Sequence, residues 1–181
     1  FPMALSHAIL TALHDAACSG YDLAKKFDGS VGFFWNASHQ QIYRELTKLE
    51  ESGYIEATVI HQANRPDKKN YLVTAAGRDY LRSWIAQPST VSYPKDELLV
   101  KLFAGDIVDR DVIIRELEHH RNQHQNQLNI YHSIEQQIFP QIDRLNRSQR
   151  YQYLTLRQGI RLETEWLAWC AEAIESIELS D

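Results

Sequence analysis

The spacing of apolar residues changes its period within the first ninety residues, and few folds satisfy such a change. Apolar residues recur every three or four positions in residues 4–16 and 21–27 and again after Ser38, a natural helix N-cap, which predicts three amphipathic helices. After Gly53 the period falls to two in short β-prone runs, which predicts a hairpin. Thr74 then caps a fourth helix. We therefore expect the order helix, helix, helix, strand, strand, helix.

The connection between the two predicted strands, residues 62–70, is polar and contains Pro66 together with Arg65, Lys68 and Lys69. Such a segment should project into solvent as a wing. The order of elements matches the winged helix-turn-helix plan, in which the third helix can enter the major groove of DNA. The wing then lies against the neighbouring phosphate backbone.

The hydrophilic side of the third helix is the predicted DNA-reading surface. Its apolar residues Ile42, Leu46 and Leu49 share the opposite side. Glutamine and arginine offer the paired donors and acceptors that suit base edges, and wing cations suit phosphates. The predicted DNA contacts are Tyr21, Ser38, His39, Gln40, Gln41, Tyr43, Arg44, Lys48, Arg65, Lys68 and Lys69. A merely solvated helix face and a wing that serves only solubility are the alternatives.

The distribution of charge permits nucleic-acid binding although the net charge of the chain is −5. Residues 1–90 hold 9 Lys and Arg against 9 Asp and Glu, whereas residues 91–181 hold 10 against 15. The whole deficit therefore lies in the second half. A neutral first half with locally basic spots does not oppose contact with phosphates.

The second half is predicted to be almost entirely helical. Residues 109–138 contain neither Gly nor Pro, and a helix of that length spans about 45 Å. Its apolar stripe runs from Ile113 to Ile138. A last helix, about 148–177, carries two apolar stripes, one from Leu156 to Ile177 and the other from Tyr151 to Ala173. Because such a helix must be covered on two sides, one stripe should pack within the protomer and the other against a second chain.

The expected fold is mainly α, of the α+β type, with two domains. Residues 4–87 would form a winged helix-turn-helix DNA-binding domain, and residues 94–178 a long-helix dimerisation domain. A homodimer would hold two recognition helices about 34 Å apart and so read a palindromic site. The predicted dimer contacts are Leu117, Leu128, Tyr131, Leu162, Trp166 and Trp169.

Motifs typical of other function classes are missing from the sequence. It contains no phosphate-cradling glycine motif, zinc-protease motif, paired-cysteine site or nucleophile elbow, so neither an enzyme nor a cofactor is expected. His120 and His124 have the spacing of a metal site, but hydrogen bonding between helices is the favoured interpretation and no metal is expected. Cys18 and Cys170 indicate buried thiols in a reducing cytoplasm. No apolar run reaches membrane-spanning length, so a soluble, cytoplasmic protein without a membrane partner is expected.

Four segments of the first half resemble the PadR family of bacterial regulators. Residues 20–24 resemble the family's segment that opens helix two, and residues 41–50 resemble its recognition helix. Residues 52–55 and 69–77 resemble its strand entry and its exit from the wing into helix four. The resemblance as a whole extends over nearly all of residues 4–86, and these four segments are its most recognisable parts.

The resemblance continues into the second half and departs from the family at one position. Residues 95–103 and 157–170 are similar to the C-terminal domain of the PadR subgroup related to virulence activators, in which the C-terminal helices pair two chains. After Tyr43 the family commonly has proline, whereas this chain has Arg44. The base preference of the family is therefore not carried over.

The predicted elements and the resemblance together imply a sequence-specific DNA-binding transcriptional regulator. We expect a repressor that acts as a homodimer on a palindromic operator in double-stranded DNA, with an unidentified small-molecule effector as a further partner. One alternative is a ligand- or metal-sensing helical protein whose interdomain pocket would be walled by Phe33, Phe34 and Trp35. Another is a winged-helix module that binds proteins and not DNA.

Overall fold

The computed structural model describes residues 4–14, 16–28, 35, 37–60, 68–91 and 95–179. The chain divides into two compact units, Phe1–Val91 and Ser92–Asp181. The predicted fold class is confirmed, because the described chain is mainly helical with one small antiparallel sheet. No helix in the described ranges is both long enough and apolar enough to span a lipid bilayer.

Among its described residues, the first unit has four helices and three strands in the predicted order, with one strand more than predicted. They are α1 (Ala4–His14), β1 (Cys18–Ser19), α2 (Gly20–Asp28), α3 (His39–Glu51), β2 (Ile55–Ile60), β3 (Lys68–Val73) and α4 (Ala75–Ile85). The core of this unit lies where α1 packs against α3, α4 and β3. Ile9, Leu13 and Ile42 are fully buried there, which follows from the three-and-four spacing of the apolar residues.

The three-stranded sheet corrects the predicted hairpin in two respects. Its order is β1-β3-β2, and the two-residue strand β1 pairs Cys18 with Tyr71, a partner that the local pattern does not indicate. The wing connection is also shorter than predicted, because Lys68, Lys69 and Asn70 belong to β3. Backbone hydrogen bonds extend the ladder beyond the apolar residues, since strand pairing does not depend on side-chain polarity.

Two glycines fix the junctions on either side of the hairpin. Gly53 has φ of 71°, a left-handed conformation that ends α3 and favours glycine. Gly77, in the first turn of α4, lies so close to the α3–β2 turn that a Cβ atom would come within 2.0 Å of the carbonyl oxygen of Tyr54. Thr74 caps α4 and donates its hydroxyl hydrogen bond to the Gly53 carbonyl at 2.7 Å.

The second unit is built on two long helices. It contains α5 (Glu97–Phe103), α6 (Arg110–Ile138) and α7 (Arg147–Glu178), with 3-10 turns at Gly105–Ile107 and Ile142–Arg144. The 29 residues of α6 give a length of about 43 Å. Contacts between α6 and α7 show that the helices run antiparallel, because residues early in α6 contact residues late in α7.

The buried stripe of the second unit is close to the predicted one. Ile113 and Leu117 of α6 pack with Cys170 and Ile174 of α7. Ile138, which the pattern placed at the end of the α6 stripe, is 55% exposed because the helix ends there. The buried position of Cys170 agrees with its predicted role as a small apolar side chain, and Cys18 is half-buried.

Candidate nucleic-acid interface

The N-terminus of α3 is held by a capping box. The Ser38 hydroxyl oxygen accepts a hydrogen bond from the backbone N–H of Gln41, and the Gln41 side-chain oxygen accepts one from the Ser38 N–H at 2.9 Å. Both residues were predicted DNA contacts, and the structure gives them a local role in starting the helix. The amide nitrogen of Gln41 still offers donors beyond this box.

The hydrophilic side of α3 is exposed in the first unit. Ile42, Leu46 and Leu49 are 3% exposed or less, whereas the intervening polar residues lie at the surface. The exposed residues that were predicted to read DNA are His39, Gln40, Gln41, Tyr43, Arg44 and Lys48. Thr47 is exposed beside them and donates its hydroxyl hydrogen bond to the Tyr43 carbonyl at 3.2 Å. The prediction omitted Thr47, although its position four residues after Tyr43 could have indicated it.

Tyr43 links α3 to the start of α2. A Cβ atom on Gly20 would lie 2.6 Å from Cε1 of the Tyr43 ring, so any larger residue at position 20 would require this ring to shift. Tyr43 stays 46% exposed and Tyr21, the next residue of α2, is 59% exposed. The amino group of Lys25 lies 4.7 Å from the centroid of the Tyr21 ring. The two tyrosines are therefore exposed on elements that contact each other at Gly20.

Three of the predicted cations are paired with carboxylates of the same unit. Lys48 Nζ lies 3.1 Å from Glu45 Oε2. At the end of the wing, the amino groups of Lys68 and Lys69 lie 2.9 Å from Asp22 and 3.5 Å from Glu50. Arg44, by contrast, forms no ion pair with any residue in the described ranges. Arg65 lies outside the described residues.

Two of these carboxyl groups have lowered pKa values. The hydrogen bond from Lys68 holds the pKa of the Asp22 carboxyl below its usual range, with a further contribution from the Ser19 hydroxyl. Burial alone would raise the pKa of Glu45, but hydrogen bonds from Ser6 and Lys48 outweigh it and lower that pKa. Both groups are therefore favoured as carboxylates, and they offset the positive charge of this surface.

The six predicted dimer contacts fall into two groups in the second unit. Leu117, Leu128 and Tyr131 are between 0% and 9% exposed, because the protomer's own helices cover them. They offer no surface to a second chain, and the expectation for these three is corrected. Trp166 and Trp169 are half-buried against the same core, and Leu162 is 51% exposed.

Other apolar side chains of this unit are more exposed than the predicted ones. On α7, Tyr151 is 61% exposed and Leu154 is 57% exposed, and both lie on the same helix face as Leu162. We call these three residues the α7 apolar face. Near the start of α6, at the opposite end of the antiparallel α6–α7 pair, Phe103 is 95% exposed and Ile107 is 80% exposed. A monomer would leave both sets in water.

His124 of α6 forms a hydrogen bond to the neighbouring helix α7. His124 Nδ1 lies 2.5 Å from Glu163 Oε2, and its ring stacks on Trp166 with centroids 4.9 Å apart. Glu163 is on the neighbouring helix, which is why spacing along α6 alone did not indicate it. Within the described ranges, no three His, Cys, Asp or Glu side chains are grouped to hold a metal ion.

Of the aromatic residues predicted to line an interdomain pocket, Phe33 and Phe34 lie outside the described residues, and Trp35 is 36% exposed.

Comparison with family models gives two matches that follow one another along the chain. Residues 9–83 match the transcriptional regulator PadR-like family. Residues 94–178 match the virulence activator alpha C-terminal family. The first match contains α2, α3 and the hairpin, and the second contains α5, α6 and α7.

The chain is similar to three proteins over nearly its whole length. It is 37% identical to a probable transcriptional regulator of Mycobacterium tuberculosis, over 97% of this chain and 98% of that protein. It is 27% identical to the negative transcriptional regulator PadR of Bacillus subtilis, over 96% and 97% of the two chains. The crystal structure of that PadR with operator DNA superposes with a TM-score of 0.85 at 25% identity, covering 96% of this chain and 99% of that chain. PadR has also been solved with p-coumaric acid, with a TM-score of 0.78.

The third relative is the Vibrio cholerae virulence activator AphA. Its structure superposes with a TM-score of 0.78 at 32% identity and covers 98% of this chain and 99% of that chain.

Proposed function

The chain belongs to the PadR-like family of transcriptional regulators, and on that premise we propose that it binds a palindromic operator as a homodimer and represses transcription. The observation that carries the proposal is the exposed hydrophilic side of α3, which begins at the Ser38 capping box and ends beside Lys69 of β3, whose amino group lies 3.5 Å from Glu50. We assign DNA binding to residues 4–87 and dimerisation to residues 94–178. The members of this family are regulators and not enzymes.

The α7 apolar face supports the homodimer. Tyr151, Leu154 and Leu162 are each more than half exposed, and a long helix with such a face is stable when a second surface covers it. A second copy of the chain supplies that surface by symmetry. Two α3 helices about 34 Å apart would then meet successive major grooves on one side of the duplex.

Repression and effector binding are supported by one relative. The Bacillus subtilis protein is named a negative regulator, and its complex with p-coumaric acid shows that it takes a small aromatic acid. In this chain, the second unit contains an apolar groove of about 360 Å³ whose lining includes Ile113, Asp106 and Arg110. A reporter gene behind the operator should be less active when the protein is present. Calorimetric titration with p-coumaric acid tests whether this chain binds the same acid.

Selection of bound sequences from random DNA at two salt concentrations tests DNA binding and symmetry together. We expect an enriched palindrome with half-sites about ten base pairs apart, and binding that weakens steeply as salt rises. A protein-interaction module without DNA binding would enrich no sequence and would give no salt-dependent titration. That result would overturn the proposal.

Substitutions at two cations separate base reading from phosphate contact. Arg44→Ala should cost about 1–3 kcal/mol at the operator and should relax the base preference at one position of each half-site. Lys68→Ala should weaken operator and random DNA by the same factor and should reduce the salt slope by about one. If both variants keep the operator affinity of the parent, the assignment of the reading surface is wrong.

The dimer is tested by placing a charge on the α7 apolar face. Leu162→Asp should shift the protein from dimer to monomer at micromolar concentration in sedimentation equilibrium, because the dimer would bury an unpaired carboxylate. Ala171→Asp is the matched control, since Ala171 is exposed on the same helix but on the side opposite Leu162. A parent protein that is monomeric at micromolar concentration would contradict the proposal.

A further inference from the structure

Lys68 and Lys69, at the start of β3, form ion pairs with carboxylates of their own unit. Lys68 contacts Asp22 at 2.9 Å, and Lys69 contacts Glu50 at 3.5 Å. Each pair joins β3 to a neighbouring helix, α2 in one case and α3 in the other. Both pairs are about half exposed, so they lie where a phosphate group could also reach the lysines.

The Asp22 carboxylate is positioned by the fold and not only by Lys68. Its Oδ2 atom accepts the Ser19 hydroxyl hydrogen bond at 2.7 Å, and its backbone N–H donates to the Ser19 hydroxyl oxygen at 3.1 Å. Ser19 is fixed in turn because β1 pairs it with Asn70 of β3, next to Lys69. Ser19 and β1 therefore hold the Asp22 carboxylate in place independently of Lys68.

A carboxylate and a phosphate compete for the same ammonium group. A lysine that contacts DNA releases a condensed counterion, which is the source of sequence-independent affinity. A lysine that must first leave a carboxylate gains less, because a negative partner is lost as another is acquired. The carboxylate left behind also repels the phosphate backbone.

We propose that Asp22 and Glu50 act as internal substitutes for DNA phosphates and lower the affinity of the chain for DNA of every sequence. The inference rests on the proposed function. It assigns the two carboxylates a further role at that surface. Arg44 differs from the lysines, because it forms no ion pair within the described ranges and can contact bases without breaking an ion pair. The lowered pKa of the Asp22 carboxyl, caused first by Lys68, agrees with a pair that is formed at neutral pH.

The test measures the DNA affinity of Asp22→Asn and Glu50→Gln in the full-length protein. Each is titrated by fluorescence anisotropy with a mixed-sequence duplex of about 30 base pairs, long enough for two half-sites, and with the selected operator, at several salt concentrations. The amide that replaces Asp22 can still accept the Ser19 hydrogen bond, so the start of α2 is preserved. Asp79→Asn is the matched control, because Asp79 pairs with Arg82 on α4 and is not among the predicted DNA contacts.

Each substitution should tighten binding to both duplexes by the same factor. One additional effective phosphate contact corresponds to roughly fivefold at 0.15 M salt, with the slope of log K against log salt steeper by about 0.9. Asp79→Asn removes the same charge and should change the affinity much less. Combined with Lys68→Ala, the effect of Asp22→Asn should shrink, because no lysine is left to release.

The outcomes separate this inference from the proposed function. If the parent protein shows no salt-dependent DNA binding, the proposed function fails. If the parent binds DNA but neither Asp22→Asn nor Glu50→Gln tightens binding, the carboxylates do not compete with phosphates. That result would overturn the inference. It is also overturned if Asp79→Asn matches Asp22→Asn, or if Lys68→Ala leaves the effect of Asp22→Asn unchanged, because general charge would then explain the gain.

Discussion

Gly77→Ala should destabilise the first unit although alanine favours helices more than glycine does. Gly77 lies in the first turn of α4, where a Cβ atom would be 2.0 Å from the Tyr54 carbonyl oxygen and 2.9 Å from a methyl group of Val73. Real Cβ atoms do not approach a backbone oxygen so closely, so α4 must move by about 1 Å or more. That movement separates α4 from the turn between α3 and β2.

The expected cost follows from the contacts that this movement breaks. The Thr74 N–H donates to the Tyr54 carbonyl at 3.1 Å, and the Thr74 hydroxyl donates to the Gly53 carbonyl at 2.7 Å. The two hydrogen bonds contribute about 1 kcal/mol each, and overpacking adds about 1–3 kcal/mol. Helix propensity returns about 1 kcal/mol. The free energy of unfolding of the first unit should therefore fall by about 2–4 kcal/mol, a large part of the stability of a small domain.

Hydrogen exchange measured by mass spectrometry resolves this effect by region. Because the chain has two units, a single unfolding midpoint would mix them, whereas exchange reports the opening of each segment. Gly77→Ala should accelerate exchange in α3, β2 and α4 and leave α6 and α7 unchanged. Ala76→Gly is the control, because it changes only helix propensity at an exposed neighbouring position and should cost about 1 kcal/mol. Equal or slower exchange in Gly77→Ala than in the parent would refute the reasoning.

Two further predictions concern the second unit. Leu117→Ala removes a side chain that is 0% exposed and should lower the free energy of unfolding of this unit by about 2–5 kcal/mol. Urea unfolding monitored by hydrogen exchange in α6 and α7 measures this loss. Leu162→Ala is the control, because Leu162 is 51% exposed and its truncation should cost much less within the protomer. Glu135→Gln should make the stability of the unit less sensitive to acid. Burial raises the pKa of the Glu135 carboxyl, but hydrogen bonds from groups that include Tyr153 and Arg157 outweigh burial and lower that pKa. The ionised carboxylate therefore stabilises the parent at neutral pH, and the parent loses this stabilisation as pH falls below about 4.3. Equal slopes of the urea midpoint against pH between 7 and 3 in parent and variant would contradict this prediction.

The helices of this chain were predictable because their causes are local. Ser38 and Thr74 cap helices where the sequence placed them, and apolar residues at spacings of three and four are buried on one side of each helix. Strand β1 was not predictable, because its two residues form a strand only through β3, about fifty residues away. Its effect on the site is direct, since it holds Ser19, whose hydroxyl hydrogen-bonds to the Asp22 carboxylate that pairs with Lys68.

The state of the predicted DNA-contacting cations also depends on contacts that the sequence does not display. The pattern identified Lys68 and Lys69 as wing cations, and they lie at the start of β3. Their carboxylate partners lie about twenty residues or more away along the chain, so a local count of charges could not show that both lysines are paired. The cations counted in the sequence of the first unit are therefore not all free to bind phosphates. The affinity of this unit for DNA depends on which of its lysine–carboxylate ion pairs DNA can open.

The two stripes of α7 show where periodicity stops being informative. Spacing along the helix identified both stripes, but the register of the antiparallel partner α6 decides which residues the protomer covers. Trp166 and Trp169 pack beside the Cys170 core, whereas Tyr151, Leu154 and Leu162 on the same stripe remain exposed. The half of the stripe nearer the N-terminus of α7 is thus the part left for a second chain, and the proposed dimer contact moves from the tryptophans to this segment.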